Sequence, residues 1–166
     1  MNRTKNILDK EVIEQKLQRL ALEVAESLSG DDAPIIFIGI RNSGLAVAEK
    51  IGSKLQSYLN VPVKIISMSF DKHLPKEITL SEQVDFNDKN VILIDDVCNS
   101  GKTLLYALKP LLDYYPHRIQ TLVLIERMHK LFPVKPDYVG LSLATTMQDH
   151  IDVEVQGSEI TGAYIE

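Results

Sequence analysis

The sequence predicts an α/β protein, with a mostly parallel twisted sheet flanked by helices. Three observations carry this reading. IIFIGI (35–40), VILID (91–95) and IQTLVLIE (119–126) are short unbroken apolar runs, as expected of strands covered on both faces. Residues 9–29, 44–59 and 102–114 lie between such runs and read as helices. Strands alternating with helices imply βαβ units, whose crossovers set neighbouring strands parallel. The chain has 166 residues, 45% of them hydrophobic and 25% charged, which suits one domain with its own core.

The elements follow in order. In residues 9–29, Val12, Ile13, Leu17, Leu20, Ala21, Val24 and Leu28 fall at helical spacing, with Asp9 as N-cap and Gly30 as stop. IIFIGI is the first core strand, and residues 44–59 follow as a helix. VPVKIISMSF (61–70) reads as a strand. DKHLPKEITLSEQVDFNDKN (71–90) is polar with few large apolar groups, and predicts a mobile loop with a short strand near Ile78–Leu80. VILID, a helix over 102–114 and IQTLVLIE complete the central pattern. Tyr138–Glu166 holds strand candidates at 138–144, 151–155 and 162–165.

Composition excludes several classes of function. The net charge of -5 argues against bulk non-specific nucleic-acid binding. Cys98 is the single cysteine, so no internal disulfide forms, and a cytoplasmic location is expected. The N-terminal residues lack the apolar core of a signal peptide, and no run reaches transmembrane length. There is no CxxC pair and no HExxH, so no zinc site is signalled.

Ligands of open parallel sheets bind beyond the carboxyl ends of the strands. Two segments therefore come under suspicion: GIRNSG (39–44) after the first core strand, and DDVCNSGKT (95–103) after VILID. The second contains Gly-Lys-Thr but is not a nucleotide-triphosphate P-loop. The glycine that a P-loop needs five residues before Gly101 is Asp96. Asp95 and Asp96 can accept hydrogen bonds from vicinal ribose hydroxyls, or hold Mg²⁺. Asn99, Ser100, Gly101, Lys102 and Thr103 then enter a helix, where backbone N–H groups attract phosphate. Acids followed by an anion nest describe a reader of ribose 5-phosphate. The plain alternative is an acidic turn and a helix capped by Asn99 or Ser100. GIRNSG is not GxGxxG, so a dinucleotide fold is not expected. Its plain reading is a strand-to-helix turn with a solvated arginine.

VILIDDVCNSGKT resembles the phosphoribosyl-pyrophosphate (PRPP) signature of type I phosphoribosyltransferases. The resemblance implies that family's fold, with a small hood and a mobile flap, as one domain over residues 1–166. Residues 71–90 would be the flap, and residues 127–137 with the C-terminal part would contribute the hood. It further implies ribose contacts at Asp95 and Asp96, with Mg²⁺, and a 5-phosphate site at Asn99 to Thr103. Arg41, Asn42 and Ser43 would be the pyrophosphate loop. ILDKEVIEQKLQRLALEVAE, GIRNSGLAVAEKI, VILIDDVCNSGKT and ERMHKLFPVKPDYVG stand in the order and spacing of the pyrimidine-operon regulators (PyrR). Those proteins are RNA-binding attenuators that also act as uracil phosphoribosyltransferases. KPDYVG is shared with the hypoxanthine-guanine enzymes.

Three departures stand out. Arg41-Asn42-Ser43 replaces the regulators' Lys-Thr-Arg. Asn99 stands where purine enzymes carry a catalytic aspartate near N7 of the base. The segment 71–90 is short for a regulator's flap. Arg127, His129 and Lys130, beyond IQTLVLIE, are candidates for the base and hood, against a plain reading as a solvated charged turn. Lys72 and His73 open the flap and could close over pyrophosphate. Cys98 reads as a small packed residue rather than a nucleophile.

The resemblance thus implies phosphoribosyl transfer from PRPP to a nucleobase, uracil before hypoxanthine or guanine. Asp95, Asp96 and Asn99 would be at the reacting centre and Mg²⁺ the cofactor, in a homo-oligomer without membrane contact. The alternatives are a nucleotide- or PRPP-sensing RNA-binding regulator with little catalysis, and a purine enzyme. Specific RNA binding is not favoured, because Lys5, Lys10, Lys16 and Arg19 form only a loose cluster.

Overall fold

The computed structural model describes residues 5–71, 77–146 and 149–166. It contains β1 (Lys5–Asp9), α1 (Lys10–Leu28), β2 (Ile35–Ile40), α2 (Arg41–Leu55), β3 (Val63–Ser69), β4 (Thr79–Leu80) and β5 (Asn90–Cys98). There follow α3 (Lys102–Ala107), a 3₁₀ turn (Lys109–Leu111), β6 (Arg118–Arg127), β7 (Tyr138–Leu143), β8 (Ile151–Gln156) and β9 (Glu159–Ile165). Six strands form one sheet in the order β4-β3-β2-β5-β6-β7, and only β4 runs antiparallel to its neighbour. A separate antiparallel sheet has the order β1-β9-β8.

Alternation along the central strands builds two apolar layers. Ile35 and Phe37 of β2, and Ile92 and Ile94 of β5, join the buried faces of α1 and α2. Ile36, Ile38 and Ile40, with Val91 and Leu93, pack on the other side with Leu104, Ala107 and Phe86. This explains the continuous apolar runs, since neither face of these strands meets water. Asp9 caps α1 as the sequence predicts, its carboxylate accepting from the Val12 amide at 2.9 Å. The helix ends at a Ser29 cap, followed by Gly30 at φ +80°.

Four element readings need correction. The strand β1 lies ahead of the first helix. Its only partner among the described residues is β9, at the far end of the chain, so nothing local signals it. The second helix covers Arg41–Leu55 rather than 44–59, so GIRNSG is largely helical. β5 continues to Cys98, and both aspartates lie within a strand rather than a loop. The predicted helix over 102–114 is broken into α3 and a 3₁₀ turn. Pro110 causes the break, because it has no N–H to donate to the preceding turn.

An ionic cluster ties the small sheet to the helices. Lys50 on α2 reaches Glu159 on β9 at 2.6 Å and Glu14 on α1 at 3.8 Å. Lys54 holds Glu14 at 3.0 Å, and Lys10 approaches Glu159 at 3.5 Å. The hydrogen bond from Lys50 lowers the Glu159 pKa, and the same bond raises that of Lys50. A depressed carboxylate stabilises the fold above its ordinary range, and that contribution is lost as pH falls through its folded value. Both partners are charged near neutrality. Glu159→Gln is therefore expected to lower Tm slightly at pH 7. The difference from the parent should close as thermal melts are taken below the ordinary carboxylate range.

Candidate functional site

Parallel pairing brings the carboxyl ends of β2, β5 and β6 to one edge of the sheet. Gly39 is level with Ile94, and Cys98 with Glu126. Arg41–Ser43, Asp95–Thr103 and Arg127–Lys130 leave this edge from adjacent strands. The sequence-predicted residues that fall in the described parts of the chain therefore gather at one end of the sheet. Lys72 and His73 lie outside the described residues.

The first turn of α2 presses on the end of β5. A Cβ on Gly44 would lie 2.6 Å from the Ile94 carbonyl oxygen, 3.3 Å from Asp95 Cα and 3.5 Å from Asp95 Oδ1. No side chain fits there, so glycine sets Asp95 beside the start of α2. This start has no side-chain cap, leaving its first backbone N–H groups without that partner. Arg41 adopts φ +57°, the left-handed region that non-glycine residues occupy at a cost of roughly 1–3 kcal/mol. Its Nε and Nη2 donate to the Phe70 carbonyl at 3.3 and 3.2 Å. The guanidinium also lies 5.1 Å from the centre of the Phe70 ring. The arginine is thus held at the end of β3 rather than left bare.

Asp95 is buried, and its Oδ1 accepts from the Asp96 amide at 2.8 Å. Asp96 keeps partial solvent access, with Oδ1 accepting from the Val97 amide at 2.8 Å. Beyond them the chain turns at Gly101, whose φ of +87° favours glycine. Gly101 is the N-cap position of α3, not Asn99 or Ser100. Ser100 Oγ instead accepts from the Lys102 amide at 3.2 Å. The Ser100 carbonyl accepts from the amides of Leu131 and Phe132 at 3.0 and 3.1 Å. This stitches the segment after β6 onto the loop. Asn99 Nδ2 donates to the Ile151 carbonyl at 3.5 Å, while its buried Oδ1 has no partner among the described residues.

Two cavities meet at this loop. One, of 240 Å³, is lined by residues 97–104 and by His150. The other, of 460 Å³, is lined by Asn99, Ser100, Arg127, His129, Lys130, Leu131, Thr145 and Thr146. Asn99 and Ser100 border both. Arg127 donates from Nε to Thr145 Oγ1 at 2.9 Å and from Nη2 to the Thr146 carbonyl at 2.8 Å. Lys130 pairs with Glu126 at 2.9 Å, both side chains nearly buried at 12% and 7% exposure. His129 is exposed. Burial pushes the Cys98 thiol up to about 11, so it stays neutral and is a poor nucleophile near pH 7. The sequence reading missed Glu126, Thr145, Thr146 and His150. Glu126 has one local signal, a lone acid closing the apolar run IQTLVLIE. The other three reach the site only through tertiary folding.

Comparison with known proteins agrees with this fold. Residues 3–157 match the phosphoribosyl transferase domain, and the chain belongs to the type I phosphoribosyltransferase family. PRPP-dependent phosphoribosyl transfer is accordingly its class of chemistry. Among curated relatives, it is 34% identical over 162 residues to the bifunctional protein PyrR of Limosilactobacillus reuteri, covering 90% of each chain. It is 32% identical to the bifunctional protein PyrR of Actinobacillus pleuropneumoniae, covering 92% of this chain and 90% of that one. Its fold is similar to the hypoxanthine phosphoribosyltransferase of Trypanosoma cruzi, with a TM-score of 0.80 at 17% identity over 98% of this chain and 97% of that one. A Bacillus anthracis hypoxanthine-guanine phosphoribosyltransferase gives a TM-score of 0.71 at 20% identity, over 87% and 85%. No helix among the described residues is long and apolar enough to cross a membrane.

A side chain at Gly101 meets two obstacles. The backbone is left-handed, and a Cβ would lie 3.2 Å from the Phe132 carbonyl oxygen. Gly101→Val is expected to abolish binding of inorganic phosphate at residues 99–103, read by amide chemical-shift titration. Retained shifts in the variant would remove the requirement for glycine at position 101, and no shifts at these amides in the parent would count against an anion seat in the loop.

Proposed function

We propose that the protein transfers the 5-phosphoribosyl group of PRPP to a nucleobase, with uracil favoured. The observation that carries this reading is the single edge shared by three strand ends. It sets the uncapped start of α2, the Asp95–Asp96 pair and the glycine-turned loop 99–103 side by side. In this reading, the α2 start and Arg41–Ser43 receive pyrophosphate, Asp95 and Asp96 receive the ribose hydroxyls, and residues 99–103 receive the 5-phosphate. The cavity beside Arg127, His129 and Lys130 takes the base. The β1-β9-β8 sheet, with residues 127–137, forms the hood of a single domain, and residues 71–90 act as flap. The working protein is a homo-oligomer.

Magnesium suits this donor set as an ion that arrives with the substrate. Among the described residues, no group of three or more His, Cys, Asp or Glu side chains could hold a metal. Mg²⁺ characteristically binds one or two carboxylates together with substrate phosphates and water. Asp95 and Asp96 would hold it, and it supplies charge neutralisation to departing pyrophosphate.

In the reaction, a ring nitrogen of the base forms a bond to C1 as the bond from C1 to pyrophosphate breaks. The transition state is cationic at C1, and no protein nucleophile is needed. Positioning and fixed charge carry the rate. The nitrogen must also lose its proton. Asn99 cannot accept it as a carboxylate would, and the Glu126 carboxylate is engaged by Lys130. A pyrophosphate oxygen or water therefore takes the proton, which predicts slow turnover. The Asn99 amide removes a purine-type acid and so favours uracil over hypoxanthine or guanine.

The second reading is a nucleotide sensor with little catalysis. Arg41 supports it, because its guanidinium is already committed to Phe70. RNA as a partner is disfavoured by pairing within the N-terminal basic cluster. Lys10 approaches Glu159, and Arg19 bonds Glu23 at 2.9 Å.

Two experiments test these readings. Asp95→Asn with Asp96→Asn is expected to weaken PRPP–Mg²⁺ binding at least tenfold by calorimetry, at little cost to Tm. Unchanged affinity would remove the ribose assignment. Pyrophosphate release should be followed with PRPP, Mg²⁺ and each of uracil, hypoxanthine and guanine. Uracil should turn over fastest; a faster purine would reverse the preference, and no turnover with any base would favour the sensor.

A further inference from the structure

His150 lines the 240 Å³ cavity together with loop residues 97–104, yet it belongs to a different part of the fold. It stands just before β8, in the small sheet. The backbone there is fixed from two sides. The His150 amide donates to the Glu166 carbonyl at 3.2 Å, and the Glu166 amide donates back to His150 at 2.9 Å. One residue on, the Ile151 carbonyl accepts from Asn99 Nδ2. The loop and the small sheet are therefore joined directly at the cavity wall. The Asp152 carboxylate lies 3.6 Å from His150 Nε2, and the imidazole remains 51% exposed. Lys102 is the other basic side chain on the cavity wall, and Cys98 contributes a neutral thiol.

We infer that His150 supplies a further contact to the 5-phosphate, facing the loop amides across the cavity, and makes the site select phosphorylated ligands. This rests on the reading of residues 99–103 as the phosphate seat. The loop gives N–H donors and one lysine to a group carrying nearly two negative charges. An imidazole on the opposite wall adds a donor that is cationic when protonated, in a position that only the folded C-terminal sheet can provide. Phosphate recognition then couples the small sheet to the main one: closing the cavity brings β8 and the loop onto the same anion. His150 is a binding residue in this scheme and takes no part in bond making.

The test compares ligands that differ only in the phosphate. Affinities for uridine 5′-monophosphate and uridine, and for guanosine 5′-monophosphate and guanosine, are measured by calorimetry on the full chain. The ratio within each pair reports the phosphate contact. His150→Ala is expected to reduce that ratio about tenfold while leaving nucleoside affinity unchanged, the size expected for a charge-assisted hydrogen bond. His150→Gln keeps a donor without charge and should recover part of the loss; it also serves as the readout where His150→Ala melts early. An unaltered ratio in both variants overturns the inference while the phosphate seat stands. A wild-type protein that prefers neither monophosphate over its nucleoside overturns the seat itself, and the inference with it.

Discussion

The close approach of Gly44 to the Ile94 carbonyl is the constraint on which the site depends. A helix can begin directly at the end of β2 and lie against β5 only when the residue facing that carbonyl has no side chain. Given that contact, the uncapped amides of α2 and the Asp95 carboxylate become neighbours, although they are about fifty residues apart in sequence. In the proposed reading, the donors and the acid address different parts of one ligand. Separating the two elements by the width of a methyl group would move the amides relative to the carboxylate. The precise spacing matters because catalysis by positioning is lost with displacements of about an ångström.

A second set of contacts builds the remaining walls outward from β5. The Ser100 carbonyl accepts two amides from the segment after β6, and Arg127 holds the Thr145–Thr146 turn after β7. Asn99 reaches the start of β8. Each step uses backbone on at least one side, so the geometry depends more on chain path than on side-chain identity. This is why the family's fold persists in solved structures that share only 15–20% identity with this chain. Of the departures from the family pattern, Asn99 faces both cavities.

The sequence made the main sheet legible because its strands are buried on both faces, and only apolar residues survive there. It made the acid pair and the loop 99–103 legible because their chemistry is contiguous. Three features escaped it for physical reasons. β1 is a short, half-exposed strand paired with β9 at the other end of the chain, so its pairing has no local pattern. The early start of α2 depends on Arg41 accepting a left-handed backbone, a tertiary strain that helical periodicity does not encode. His150 reaches the cavity through pairing of the chain's last strands, and nothing in its neighbourhood of sequence marks it as a ligand contact.

Arg41 and Asn99 pull the chemistry in one direction. The strained backbone at Arg41 is a cost held in place by the surrounding packing, and such strain is usually kept where a site needs it. Here the side chain of the same residue is held by the Phe70 carbonyl and ring, at the point where β3 ends and the segment 71–90 begins. A pyrophosphate that drew Arg41 inward would have to break those contacts and would loosen the start of that segment. In the proposed reading, occupancy of the pyrophosphate site and the chain leaving β3 are linked through one side chain. Asn99, meanwhile, leaves the reacting nitrogen without a carboxylate base on the loop. In that reading, the first feature would couple ligand binding to conformation, and the second would slow chemistry after binding. Both features then favour a site that senses its ligand over one that turns it over quickly, whichever base is taken.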